Sequence, residues 1–427
     1  MSATTLTRDR GPTFVVVSGR FMTSIGFYLV VPFLTIYLTV DVGMSVAEAA
    51  LLFAVLNFTR RGLGIPAGAV SDRFGARHAL VIGLLGEAAA YLGFAAATSF
   101  WLWLAAVSLL GAAGSLTNMG SRSLLANDPG QDPAITFSRY YTMVNAAALI
   151  GPLLGAVLLE QHLVWVAFAT AAALHFTLAI LARAVLRGRA VAAQPAAPSP
   201  PARAGALAGA LRDRTLLIYC GLTVGCWFFD AQYYVALPLA VEHQRLPAAM
   251  LGPLNAANAL VVMVAVWFLG RWVVRRSPIQ RLDVLAVSAV VLGAGWLLCS
   301  FSGLAPIALA IIVVSLGEAL FMAVVDVIVA ALAPPGSTGT YLGFSAMAWA
   351  IGGVVGSLTG AAFGVAARHD LLTFYWALFA LIGLVTGLLV WSVRQRLADV
   401  IEFRTQVRAD VSAPATDPSA GPDAPGT

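Results

Sequence analysis

The chain has 427 residues, of which 60% are hydrophobic and 11% charged. A soluble domain carries about a quarter of its residues charged, so this composition excludes a water-covered globule and points to a surface covered by lipid. The formal net charge of +5 rests on arginine alone, since none of the 25 basic residues is lysine. In an apolar chain such charge reports orientation in a membrane rather than nucleic-acid binding.

Apolar runs of about 20 residues or more, each enough for a hydrocarbon core ~30 Å thick, recur along the whole length. Twelve spans are predicted, at 13–40, 46–70, 79–98, 100–126, 135–159, 162–186, 214–241, 249–271, 283–302, 304–333, 340–366 and 371–394. They lack the alternation of a lipid-facing barrel strand, so the expected fold class is an all-α membrane protein. The first span is too long for a cleaved signal peptide and carries Arg20. Arg8, Arg10, Arg73, Arg77, Arg183, Arg187, Arg189, Arg203, Arg212, Arg214, Arg271, Arg275, Arg276 and Arg281 fall on one side, whereas the opposite turns hold only Arg245 and Arg368. The positive-inside rule then places both termini in the cytoplasm. An Ala-rich, Lys-free chain suits a GC-rich bacterial genome and hence a bacterial inner membrane. Cys220, Cys226 and Cys299 lie inside spans, without metal spacing, and are expected to be free packing residues.

Residues 187–213, with Gln194-Pro-Ala-Ala-Pro198-Ser-Pro200-Pro201, break the pattern and read as a flexible cytoplasmic linker. They divide the chain into six-helix units at 1–186 and 214–396, with a cytoplasmic, disordered tail expected over 397–427. The halves resemble each other at a nearly fixed offset. Tyr28–Pro32 matches Tyr234–Pro238, Leu110-Gly111 matches Leu316-Gly317, Tyr140 matches Tyr341, and Gly151–Gly155 matches Gly352–Gly356. Six spans per copy give a parallel repeat, with a site expected between the halves at mid-depth.

A charged turn, Gly68-Ala-Val-Ser-Asp72-Arg73-Phe-Gly75-Ala-Arg77-His78, separates the second and third spans. Its glycines permit sharp turning and close approach, and Asp72 can pair across the halves to hold one side shut. The turn resembles the signature of the major facilitator superfamily, on Gly68, Asp72, Arg73, Gly75 and Arg77. The counterpart after span eight, Gly270–Arg276, lacks the acid. Gly151, Pro152 and Gly155 in span five resemble the Gly-Pro motif of the exporter branches. Gly19-Arg20-Phe21, Leu316-Gly317-Glu318 and Gly339–Phe344 resemble bacterial drug-efflux members. The resemblance implies two six-helix bundles, a gating role for the charged turn, and a cavity lined by spans one, four, seven and ten.

Charges inside spans are costly and mark function by default. Glu87, Asp230, Glu318 and Asp326 are the acids, and Arg20, Arg60 and Arg61 the bases. The cavity implied by the resemblance selects Arg20, Asp230, Glu318 and Asp326. Asp230 lies among Trp227, Tyr233 and Tyr234, and an acid among aromatics can bind a lipophilic cation or exchange protons. Its alternative is a permanent pair with an arginine. Glu318 is the second proton-site candidate, and Asp326, nearer the cytoplasm, the gate partner. Arg20 either neutralises an acid across the cavity or binds an anionic substrate. Glu87 is expected to pair with Arg60 or Arg61. His175 is expected to be a polar packing residue, and Asn255 and Asn258 to bond between helices. There is no phosphate-binding Gly-Lys-Ser/Thr loop, nucleophile motif or metal site. The expectation is therefore a non-enzymatic monomer without cofactor. It would export small lipophilic, drug-like molecules in exchange for protons by alternating access. A facilitator or uptake carrier for a sugar or organic anion is the alternative, and a non-transporting sensor or scaffold the reading of another class.

Overall fold

The computed structural model describes residues 11–126, 133–186, 208–334 and 337–412, and in these the chain is helical, without strands. Ten helices are long and apolar enough to cross a membrane. We label the membrane stretches α1 to α12. The first six are α1 Gly11–Ile36, α2 Val46–Asn57 with Gly64–Phe74, α3 Ala76–Ala96, α4 Phe100–Ala126, α5 Pro133–Glu160 and α6 Val164–Val185. The others are α7 Arg214–Asp230 with Ala236–His243, α8 Leu251–Val274, α9 Pro278–Leu297, α10 Leu304–Leu332, α11 Thr338–Arg368 and α12 Leu372–Ser412. The ten continuous spans are thus joined by two interrupted ones, α2 and α7.

Each interruption has a local cause. In α2 a π-helical turn, Phe58–Gly62, inserts an extra residue and interrupts the regular helix. In α7, Pro238 has no N–H, so the Tyr234 carbonyl four residues earlier lacks its helical partner. The chain passes through a 3₁₀ turn at Ala231–Tyr233 before helix resumes. The Thr35 hydroxyl, from α1, donates to that Tyr234 carbonyl at 2.5 Å.

The internal repeat is visible in the packing. Gly151 and Gly155 of α5 lie against Tyr28, Leu29 and Phe33 of α1, while Gly352 and Gly356 of α11 lie against Trp227 and Phe228 of α7. The pair Leu110-Gly111 and Leu316-Gly317 is not equivalent in this way: Gly111 faces Thr59 of α2, whereas Gly317 faces Leu292 of α9.

The halves meet through α2 with α11 and α5 with α8. Val46 faces Gly364, Ala50 faces Gly360, and Asn57 faces Gly353 and donates to Ser357 Oγ at 3.0 Å. Gly252 of α8 packs on Pro152 and Ala156. These contacts lie towards the end opposite the charged turn. At that end Gly43, His162, Arg245, Gly303 and Asp370, at positive φ, sit in the short connections.

At the charged turn, Gly75 has φ 90° and ψ 141° between α2 and α3, a conformation open essentially to glycine alone. Arg77 donates to the Arg183 carbonyl at 2.9 Å, which ties α3 to the end of α6. Arg73 is exposed, 5.5 Å from the Phe74 ring. The Asp72 side chain lies outside the described residues. Gly68 has no atom near its would-be Cβ, so it is not a close-packing glycine here.

The expected disordered tail is corrected over 397–412. There α12 continues as helix, with Leu397, Ala398 and Ile401 buried. Arg404 anchors it, donating to Asp213 Oδ2 at 2.7 Å and to the Leu332 carbonyl. Asp213 also accepts from the Tyr341 hydroxyl at 2.6 Å and caps α7 through the Thr215 and Leu216 amides. Burial works to raise the Asp213 carboxyl, but the Arg404 and Tyr341 hydrogen bonds outweigh it and hold the group below its ordinary value. Composition does not announce this clamp, because its partners come from four distant stretches of sequence.

The two turn glycines separate conformational need from packing. Gly75→Ala is expected to destabilise by about 1–3 kcal/mol, whereas Gly68→Ala leaves stability within about 0.5 kcal/mol. Tryptophan-fluorescence melting of the purified variants checks both; equal melting points for the two would overturn the assignment.

Candidate functional site

The π-turn in α2 sends its two arginines to different halves. Arg60 lies 3.5 Å from Glu87 Oε1 in α3 and 4.3 Å from the Phe27 ring. Arg61 reaches into the other half, 3.3 Å from Asp230 Oδ2. Its guanidinium lies over the Trp349 ring at 3.0 Å, and Trp349 Nε1 donates to the same Asp230 oxygen at 3.0 Å. Trp349 stacks on Trp227 with centroids 4.2 Å apart. Asp230 is therefore held by a cation and an indole N–H where α7 breaks, with both charged side chains 19% exposed.

Glu318 differs. Asn258 of α8 donates to its Oε2 at 2.9 Å, and the Tyr233 hydroxyl is its other side-chain partner. Asn258 also lies 2.7 Å from Tyr233 Oη and 3.0 Å from Ser315 Oγ. All these partners are neutral, and no ion pair involves Glu318 among the described residues. A pocket lined by Trp227, Phe229, Asp230, Tyr233, Glu318 and Phe321 joins the two acids. Its walls are aromatic and its polar groups few.

The remaining candidates are spread around this centre. Tyr234 stacks on Phe53 and meets Phe27 edge-on across the halves, so it belongs to the closure between bundles. Trp227 and Tyr233 line the pocket with Asp230, whereas Tyr234 lies outside its lining. Arg20 stacks 5.0 Å from the Tyr140 ring, and its Nε is buried without a hydrogen-bond partner. Asp326 is exposed, with Arg122 of α4 as the charged group acting on it across the halves. Asn255 bonds the Leu251 carbonyl of its own helix, so only Asn258 bridges helices. Cys220, Cys226 and Cys299 are buried and free. Among the described residues no cluster of His, Cys, Asp or Glu is placed to hold a metal ion.

Known proteins agree with this architecture. Residues 16–357 match the model of the Major Facilitator Superfamily. The chain belongs to that family. It is a multi-pass membrane transporter of small molecules, not an enzyme. Multidrug resistance protein MdtH of Shigella dysenteriae is 25% identical over 407 residues, covering 93% of this chain and 98% of that protein. An uncharacterised MFS-type transporter of Mycobacterium tuberculosis is 28% identical over 296 residues, 65% of this chain and 67% of its own length. Among solved structures, the nucleoside transporter NupG superposes with a TM-score of 0.74 at 13% identity, covering 89% of this chain and 99% of its own. The peptide transporter PepTSo gives 0.70 at 15%, covering 91% and 98%. At these identities the superpositions speak to fold alone.

Sequence reasoning singled out the acids, held open an arginine partner for Asp230 and expected Asn258 to bond between helices, but did not name Arg61 for Asp230, Asn258 for Glu318, or Trp349 at all. The signals were present: two adjacent arginines inside a span, and an asparagine in an apolar helix. Removing one member of a charged hydrogen-bonded pair costs roughly 1.5–3 kcal/mol. Arg61→Ala is expected to lower stability by about that much, and Asp230→Asn in the same chain to recover part of it. A double-mutant cycle on melting midpoints checks this. Additive losses would show that the two groups do not interact.

Proposed function

We propose that this transporter exports small lipophilic, drug-like molecules in exchange for protons, with Glu318 as the coupling acid. One observation carries the reading: Glu318 is an acid deep in an aromatic-lined pocket whose side-chain partners are all neutral. Asp230 and Glu87 each face a guanidinium. An acid whose only ionisable partner is an arginine, such as Asp230, has little reason to bind a proton or an organic cation, whereas an unpaired acid in a low-dielectric pocket serves both. The MdtH proteins, matched over nearly their full length, support the substrate class.

Protons and substrate would compete for Glu318. A lipophilic cation binds against Trp227, Tyr233 and Phe321 and displaces the proton, and reprotonation expels it. Alternating access would proceed by rocking the halves about the α2–α11 and α5–α8 seams. The closed seam lies opposite the charged turn. If both termini are cytoplasmic, in a bacterial inner membrane, the conformation described is the inward-facing one. Asp326 and Arg122 would then flank the open side, in keeping with a gate role for Asp326. A monomer holds all these parts.

Arg20 supports a second reading. Its buried, unpartnered Nε beside Tyr140 suits an anionic group, as an uptake carrier for an organic anion would need.

Proteoliposomes with an imposed pH gradient separate the two. Efflux of a fluorescent lipophilic cation such as ethidium is expected to fall at least tenfold in Glu318→Gln, with downhill exchange retained. In Arg20→Gln it should change less than threefold. Gradient-driven efflux persisting in Glu318→Gln would overturn the coupling assignment.

A further inference from the structure

One buried cluster in the N-terminal half takes no part in that exchange. His175 of α6 has no exposed surface and Glu87 of α3 is 3% exposed. His175 Nδ1 lies 2.7 Å from the Ala171 carbonyl oxygen. A carbonyl only accepts, so Nδ1 carries a hydrogen. In a neutral ring, Nε2 is then a bare lone pair. That nitrogen is buried without a hydrogen-bond partner, and it faces Glu87 Oε2 at 3.9 Å. Two acceptors thus confront each other where water has little access, and unpaired buried acceptors are costly.

We infer that His175 and Glu87 form a proton-binding site in the N-terminal half, holding one proton between Nε2 and Oε2. The inference does not rest on the export reading. It concerns a different half and needs no substrate. Each neighbouring element contributes a group. From α2, Arg60 lies 3.5 Å from Glu87 Oε1. From α4, Thr117 donates to Oε2 at 2.6 Å. From α3, Tyr91 sets its ring 5.2 Å from the imidazole, with its hydroxyl buried and unpartnered. From α1, Gly26 lies against the ring edge and Arg20 is the charged group in electrostatic reach.

A small cavity with Arg20, Thr23, Thr117 and Ser121 in its lining lies beside the pair, and we take it as the proton's route. Uptake is one proton transfer from hydronium: one O–H bond of hydronium breaks, one N–H or O–H bond forms at the site, and water is left. It also weakens the hold of Glu87 on Arg60. Since Arg60 and Arg61 adjoin in one π-turn, occupancy of the site is felt at the bridge to Asp230.

The test uses the full chain in lipid nanodiscs without substrate. Histidine ring-¹⁵N spectra and the infrared carboxyl band are followed over roughly pH 5–8, the range in which histidine titrates. His175→Asn identifies the signal of His175 among the other histidines. The wild type is expected to take up one proton at this pair, seen on the imidazole or as a carboxyl band. Glu87→Gln should lower the site's proton affinity at least tenfold. Thr117→Val, which removes a donor from the carboxylate, should raise it severalfold, and it stands in if Glu87→Gln does not fold. An imidazole that stays neutral throughout, with no carboxyl band that Glu87→Gln removes, would overturn the proposal. So would a midpoint that neither variant moves.

Discussion

Adjacent arginines in a π-turn organise the charges buried in this protein. Neighbouring helical residues point about 100° apart, far enough to face different elements. At the π-turn Phe58–Gly62, Arg60 pairs with Glu87 in its own bundle and Arg61 with Asp230 in the other. Two of the buried acids are thereby neutralised, and Glu318 is left with neutral partners. The pattern of paired and unpaired acids, rather than the count of acids, gives the interior its chemistry.

Proline acts in the same way on the backbone. Pro238 frees a carbonyl at Tyr234, and Thr35 of the other half satisfies it. A helix break thus becomes a contact between bundles. Glycines at 353, 360 and 364 let α11 lie close to α2 along the same seam. The seam is held by small residues, the Thr35–Tyr234 and Asn57–Ser357 hydrogen bonds and the Arg61–Asp230 ion pair. Few of these contacts bury large apolar surfaces against each other, which suits an interface that must separate and reform.

Much of this was legible in the sequence, for physical reasons. Hydrocarbon thickness fixes span length, so the spans could be read directly, while most of the expected linker, 187–207, lies outside the described residues; Gly151–Gly155 and Gly352–Gly356 reveal the repeat because both pack on the first span of their own half. The acids were legible as well, because charge in lipid is rare. Pairing was not. Glu87 could be matched to Arg60 or Arg61, but only the π-turn decides between them, and no periodicity announces a π-turn. The continuation of α12 to Ser412 was missed because charged residues after 394 mimic a solvated tail. It is Asp213, at the far end of the linker, that gives Arg404 a place to dock. Gly68, one of the motif glycines expected to permit turning or close approach, faces open space.

The central claim is that Glu318, and not Asp230, is the acid whose proton exchanges with substrate. Proton release on binding tests it most directly. A lipophilic cation is added to weakly buffered, detergent-solubilised protein with a pH indicator. The account predicts about one proton released per cation bound by the wild type and by Asp230→Asn, and none by Glu318→Gln. Undiminished release from Glu318→Gln, or release abolished only by Asp230→Asn, would contradict it.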